Sequence, residues 1–386
     1  MTYAQHRRII DADSHVIELD DFLRKAASDA NLALLPSMLD QQALPVDQEK
    51  MEAGFALFRK RQDDPGLMAE SEETVVGDVL GGWKRLGAFD PNERSRAMDV
   101  FGYQLQWVLP TFSFHQIAHV DQADIMEAGA RTLNKAMGEF CAHDRRLKAI
   151  GYLPLSLGPE KALSIMNEGL NAGCYSFMVD TNEPNDTHLS FTHPNFDPVW
   201  ARFCEVGAPF SVHVAANGHY KPVPKSFSNN GREALVLGGD APPGELGLIT
   251  IKNSVEIFLS AMIFDGVFER HPNLRGICME HGAFWVPAWL RGLDFTASSY
   301  FNRRSFNEPP AATARRHLKF SPFAGEPVGW IIENTGPEML VFASDFPHPE
   351  GSSDPIKKFE ATMENCDQSV MDAFYYGNMA EAMGIA

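Results

Sequence analysis

Near the N-terminus, Ile9-Ile10-Asp11-Ala12-Asp13-Ser14-His15 brings together residue types from which metal chemistry is built. The paired isoleucines predict a short buried strand. On a strand, Asp13 and His15 point the same way, because side chains repeat every second residue. A carboxylate and an imidazole side by side offer lone pairs that suit zinc or manganese. Alone, the pair also reads as a capped strand end with a hydrogen-bonded histidine. Three more residues close apolar runs in the same manner. His213 follows Pro209-Phe210-Ser211-Val212, His281 follows Gly276-Ile277-Cys278-Met279-Glu280, and Asp345 follows Leu340-Val341-Phe342-Ala343-Ser344. Imidazoles and carboxylates at converging strand ends are the means for holding a divalent ion and moving protons beside it.

The elements that must position these residues follow from the hydrophobic pattern. Beyond the first strand, strands are expected at 104–109, 148–153, 174–179, 209–214, 274–280, 318–323 and 340–344. Helical spacing is expected over 94–101, 122–143, 159–171, 196–206, 254–270, 285–296 and 328–334. Eight strands alternating with helices predict an α/β fold, a (β/α)8 TIM barrel, whose chemistry gathers at the C-terminal ends of its strands. On that count Asp13 and His15 follow the first strand, His213 closes the fifth, His281 the sixth and Asp345 the eighth. An open doubly wound sheet is the rival, but Ala12–Ile17 contains no glycine for a nucleotide-binding turn. A partly helical insertion after strand 1 is expected at about 20–92, with helical stretches at Asp21–Asp29 and Gln48–Lys60. A long polar loop is expected at about 215–250. The whole of 1–386 then reads as a single barrel domain.

The composition sets outer bounds. Hydrophobic residues at 44% and charged ones at 22% of 386 residues describe a globular chain with ample core. A formal charge of −18 argues against nucleic acid as a partner, since phosphate binding needs clustered Lys and Arg. Cys141, Cys174, Cys204, Cys278 and Cys366 are dispersed, as reduced thiols are. Neither a signal-peptide core nor a membrane span is expected, so the expected location is the cytoplasm.

Seven stretches together resemble the amidohydrolase superfamily, in its amidohydrolase-related branch. They are Ile10–His15, Arg94–Pro110 (Arg-x-x-x-Met-Asp-x-x-Gly), Leu147–Leu155, Gly173–Asp180, Val212-His213, Phe268–His281 and Ala343–His348 (Ala-Ser-Asp-Phe-Pro-His). That branch contains aminocarboxymuconate-semialdehyde, γ-resorcylate and 5-carboxyvanillate decarboxylases. The resemblance implies that Asp13, His15, His213 and Asp345 ligate one divalent metal, with His281 beside it as a catalytic acid/base. The chain departs from the branch at Asp13, where His-x-His or Glu-x-His is common. Two carboxylates and two imidazoles make a hard site, which favours Mn²⁺ or Fe²⁺ with Zn²⁺ still admissible. Binuclear relatives carry a carboxylated lysine after the fourth strand, and Met178-Val179-Asp180-Thr181 has none. One ion per chain is therefore expected.

Around this centre, Glu18 is a candidate acceptor for an imidazole N–H or a helix N-terminal acid. His348 is a candidate for orienting the loop or facing substrate. Phe112, His115, Asn217, His219 and Trp285 follow strand ends and are candidate pocket walls. Glu280 is expected to alternate away from His281 and to be structural. The implied activity is non-oxidative decarboxylation of an aromatic or unsaturated carboxylic acid, with Asp345 or His281 as proton donor. The alternative is a metal-dependent hydrolase of a C–C, lactone or amide bond; a metal-free binding scaffold is a third reading. Expected partners are a small carboxylic acid or carbonyl substrate and a second copy of the chain, as a homodimer.

Overall fold

The computed structural model describes residues 2–41, 44–77, 81–181, 189–216, 223–232, 244–299, 304–349 and 351–385. Seven parallel strands run in sequence order through one curled sheet. They are β1 (Ile10–Asp11), β2 (Leu105–Val108), β3 (Leu147–Leu153), β4 (Cys174–Val179), β5 (Phe210–Val212), β6 (Gly276–Cys278) and β7 (Leu318–Phe320). The register is set by pairs such as Ile10 with Leu105, Met178 with Ser211 and Gly276 with Leu318. Parallel neighbours need crossover connections, and helices supply them, which is why the strands are buried apolar runs. The strand face of Ala123–Cys141 carries Ala130, Leu133, Met137 and Phe140 at helical spacing, all buried. Gly138 lets this helix approach the turn after Pro159–Asn171, since a Cβ there would lie 2.0 Å from the Ala172 carbonyl oxygen.

The expected eighth strand is not regular strand. Residues 340–344 nevertheless bond to both sides of the sheet. Val341 N donates to Phe320 O at 3.0 Å and Ala12 N donates to Phe342 O at 3.0 Å. Asp345 N donates to Asp13 O at 2.9 Å, and His15 N to Phe346 O at 2.7 Å. The ladder is irregular because Phe342 N turns away to Phe374 O, at 3.0 Å, in the C-terminal helical segment. The seven-stranded curled sheet is consistent with a TIM barrel.

Helix expectations change at several places, among them Gly244–Thr250, a helix inside the loop expected at about 215–250, and Phe112–Ala118, which was not expected. The run 254–270 is broken at Gly266, φ +73°, into Asn253–Phe264 and Val267–Arg270. A helix at Pro310–His317, not expected from the pattern, leads into β7. Its last residue, His317, is buried; its Nδ1 donates to Leu274 O at 2.7 Å and its Nε2 accepts from Arg316 Nε at 3.1 Å. Burial, with Arg275 and Arg316 nearby, pushes its imidazole down to about 4. Gly244–Phe264, 21 residues, is long and apolar enough to cross a membrane by length and composition alone, yet its second part, Asn253–Phe264, buries Val255, Phe258, Leu259, Met262 and Ile263 as a core helix does.

Between β1 and Pro91–Phe101 the chain forms helices Phe22–Ala26, Asp29–Leu32, Gln48–Asp63 and Pro65–Thr74. Arg61 fixes this cover through a buried fork onto Glu93, Nε to Oε1 at 2.8 Å and Nη2 to Oε2 at 2.6 Å. Trp83 seats it beside the sheet: its indole N–H donates to Glu18 O at 2.9 Å and its ring stacks on Phe112 at 4.8 Å.

Candidate metal centre

β1 stops at Asp11, yet its extended course continues, with His15 bridged to Leu109 and Ser14 to Phe346. A buried network fixes this stretch. Asp11 accepts from Ser344 N at 2.9 Å, Ser344 Oγ at 2.6 Å and Gln106 Nε2 at 2.9 Å. Burial pushes the Asp11 carboxyl up to about 7. Arg94 donates to Gln106 Oε1 at 3.1 Å and to the carbonyl of His15. The first, second and last segments of the sheet are thus tied together directly beneath Asp13 and His15.

Asp13 Oδ1 lies 3.4 Å from His15 Nε2 and 3.6 Å from His213 Nε2. Glu280 Oε2 lies 3.1 Å from His213 Nε2. One donor atom from each of Asp13, His15, His213 and Glu280 falls within 4.8 Å of the others. Donors bound at about 2.1 Å to one ion stand roughly 3.0 Å apart at right angles and 4.2 Å apart when opposed. The observed spacings fall in that interval. The imidazoles are also held by the correct edge. His213 Nδ1 faces Val214 O at 3.0 Å, and His15 Nδ1 faces Pro110 O at 3.3 Å and Thr111 Oγ1 at 3.2 Å. A proton on Nδ1 leaves the Nε2 lone pair aimed into the cluster. Asp13 Oδ1 and His15 Nε2 are buried and lack a well-aligned hydrogen-bond partner among the described residues. A divalent ion fits this donor set.

Electrostatics agree. Burial alone would raise the Asp13 carboxyl, but His213 and His15 hold it well below the usual carboxylate range. Burial would lower His213, yet Asp13 and Glu280 hold it well above its ordinary value. His15 is pushed down to about 4, by burial first and His348 second. Asp13 and Glu280 thus place negative charge at His213 Nε2, as a cation site requires.

Asp345 sits at the edge of this cluster, its Oδ1 3.8 Å from His15 Nε2 and 3.0 Å from His348 Nδ1. Its side chain keeps 17% exposure against 2% for Asp13, so it faces the mouth. His348 stacks on His15 at 4.0 Å and meets Thr111 Oγ1 through Nε2 at 2.9 Å. Thr111 is itself placed by Glu18, whose carboxylate accepts from Thr111 N at 2.9 Å, Phe112 N at 2.8 Å and the Ser113 hydroxyl. Glu18 is thus an acid at the start of Phe112–Ala118, and its acceptors are filled by these donors instead of an imidazole.

Glu280 is the residue that the alternation misplaced. β6 ends at Cys278, and Glu280 takes φ +56°, a left-handed conformation costing about 1–3 kcal/mol in a non-glycine residue. That twist swings its side chain toward His213. The available signal was the Glu280-His281-Gly282 sequence, where a glycine at φ +63° marks a chain already leaving the strand. His281 is buried, with Nδ1 2.8 Å from Met279 O, and lies outside the donor cluster. Burial and the charge on His213 push it down to about 3, so it is neutral.

Of the other candidates, Phe112 is buried against Trp83, and Trp285 donates to Gly282 O at 3.0 Å in the loop after His281. His115 pairs with His119 at 3.2 Å. Asn217 and His219 lie outside the described residues. Asp180, after β4, accepts from Tyr152 Oη at 2.8 Å and from Ser156.

A family model described as amidohydrolase matches residues 10–384. The chain belongs to the amidohydrolase family, in the branch that includes 5-carboxyvanillate and 2,6-dihydroxybenzoate decarboxylases. Its fold is that of an amidohydrolase from Mycobacterium avium subsp. paratuberculosis K-10, with 20% identity, 98% of this chain and 100% of that one covered, and a TM-score of 0.72. It is similar also to 5-carboxyvanillate decarboxylase from Sphingomonas paucimobilis, with 18% identity, coverage of 98% and 99%, and a TM-score of 0.61. A third likeness is to dihydroxybenzoic acid decarboxylase from Polaromonas sp. JS666 with bound manganese and 2-nitroresorcinol, at 14% identity, coverage of 98% and 97%, and a TM-score of 0.64. Membership of this family supports an enzyme.

Proposed function

We propose that this amidohydrolase-family protein is a mononuclear, divalent-metal-dependent decarboxylase of an aromatic or unsaturated carboxylic acid. The observation that carries the reading is the convergence of Asp13 Oδ1 with the Nε2 atoms of His15 and His213, each imidazole fixed by its Nδ1 edge. Asp13, His15, His213 and Asp345 would hold the ion. Mn²⁺ suits their carboxylate content best, with Fe²⁺ and Zn²⁺ as alternatives. When bound, the ion would supply the positive charge that holds the substrate's carboxylate and an adjacent oxygen.

The chain's own residues divide the proton work. The Nδ1 proton of His281 is committed to Met279 O, so its Nε2 offers a lone pair and accepts. Asp345, steadied by His348 and nearest the mouth, is the group placed to donate. Asp345 enters the step protonated: as the C–C bond breaks and CO₂ leaves, the bond's electron pair stays on the substrate carbon and takes that proton, which solvent at the mouth then restores. Trp285 and the cover at about 20–92 would shape the pocket. The proposal extends to one barrel domain closed by 340–346 as its eighth stave, a homodimer, and a cytoplasmic location, which the five free cysteines support.

The test is to incubate Mn²⁺-loaded protein with hydroxybenzoates, muconates and small lactones, following CO₂ and acid release together. CO₂ release from a carboxylic acid is the expected outcome. Acid release without CO₂ would replace this reading with the hydrolase.

A further inference from the structure

We propose that Glu280 is a further protein donor to the ion, so that three carboxylates and two imidazoles surround it. This inference rests on the reading that the centre holds one divalent cation. His213 Nδ1 is turned to Val214 O at 3.0 Å, so its proton belongs on that nitrogen when the ring is neutral. Its Nε2 then presents a lone pair to Glu280 Oε2, 3.1 Å away, which presents lone pairs in return. Two lone pairs at that distance repel unless a positive centre lies between them, and only a proton or a metal ion fits. A proton there, whether carried by Nε2 or by Oε2, takes up the Nε2 lone pair, so that His213 cannot ligate. An ion there is shared by both residues.

The backbone supports the second choice. Glu280 holds φ +56° although it is long and not a glycine. The turn that imposes this is clamped: Glu280 N donates to Ser321 Oγ at 3.3 Å, and the Glu326 carboxylate accepts from Ala283 N at 2.9 Å, Phe284 N at 3.1 Å and Phe323 N at 3.0 Å. An extended Glu280 would point away from the cluster, as period-two alternation demands. The left-handed turn instead gives a set with Asp13, His15 and His213 within 4.8 Å, whereas Asp345 groups with His15 and His348. A third carboxylate also hardens the donor set and moves its preference toward Mn²⁺ over Zn²⁺.

Glu280→Gln keeps the shape and removes the charge. In apo protein titrated with Mn²⁺ and read by the electron paramagnetic resonance of the free ion, it should weaken binding by more than about 100-fold, beyond what loss of an outer contact costs. The preference for Mn²⁺ over Zn²⁺ should fall in parallel. In wild-type protein carrying carboxylate-¹³C glutamate, infrared difference spectra on Mn²⁺ addition should show a shifted glutamate carboxylate band. Unchanged Mn²⁺ affinity in Glu280→Gln, or an unshifted glutamate band in wild type, would overturn the inference. A wild-type chain that takes up no ion would instead sink the proposed function itself.

Discussion

Glu280 and Asp345 share one backbone conformation, φ +56° and +55°, just beyond the strand-like runs that carry them. Both are acidic, and both turn toward histidines of the cluster, Glu280 to His213 and Asp345 to His15 and His348. Neither side chain reaches its partner by continuing the pleat. The cluster thus combines Asp13, His15 and His213, which follow their strands directly, with two acidic positions held in a strained turn.

Asp13 is the atom bridge between the two imidazoles, so Asp13→Ala should lose ion and activity together. The Mn²⁺ affinity should fall by more than about 100-fold; a loss confined to 10–100-fold would make Asp13 a support for a histidine and not a ligand. Titration of the apo variant, with elemental analysis of wild type showing one ion per chain, measures this.

His281→Asn should abolish turnover, by about 10²–10⁴-fold, while metal content stays at the wild-type level. The expectation follows from its place outside the donor cluster and its neutral, accepting Nε2. Loss of the ion in this variant would make His281 a ligand.

Thr111→Val removes the hydroxyl that stands between His15 Nδ1 and His348 Nε2. It should lower kcat about 10–100-fold with little change in melting temperature. Combined with His348→Asn, the two effects should fall short of additive, because both act on Asp345 through the same contact. Full additivity in the kinetic double-mutant cycle would show that they act separately.

Away from the site, His317 makes stability depend on acid. Its folded pKa near 4 lies below the unfolded value of about 6.5, so the unfolded chain binds the extra proton between them. The stabilisation is present above pH 6.5 and is lost as pH falls toward 4, by about 3 kcal/mol at most. His317→Gln does not titrate, so the gap in stability between it and wild type should narrow from pH 7 to pH 4.5. Denaturant unfolding at both pH values checks the sign; a gap that widens on acidification would refute it.

The strand centres were legible because burial on both faces leaves continuous apolar runs. The expected 104–109 contains Leu105–Val108, and 174–179 coincides with Cys174–Val179. The ends were overextended: 209–214 shortens to Phe210–Val212, 274–280 to Gly276–Cys278 and 318–323 to Leu318–Phe320. Beyond Cys278 the bond from Met279 N to Val212 O still holds, and the chain turns left-handed only at Glu280, so alternation could find His213 but not Glu280. Nor could spacing show that His348 faces Asp345, since that depends on how the turn after Asp345 folds back. Pro310–His317 was missed because its apolar positions are alanines, which carry little periodic signal.

The hydrogen bond from Asp345 N to Asp13 O joins opposite ends of the sequence. A ribosome adding about 5–20 residues per second takes some tens of seconds to travel between them. Through that interval the nascent chain exposes the outer edge of β1, a row of unsatisfied amides that invites pairing with other chains. A polypeptide stalled before residue 345 would carry Asp13, His15, His213 and Glu280 without the segment that locks β1 in place.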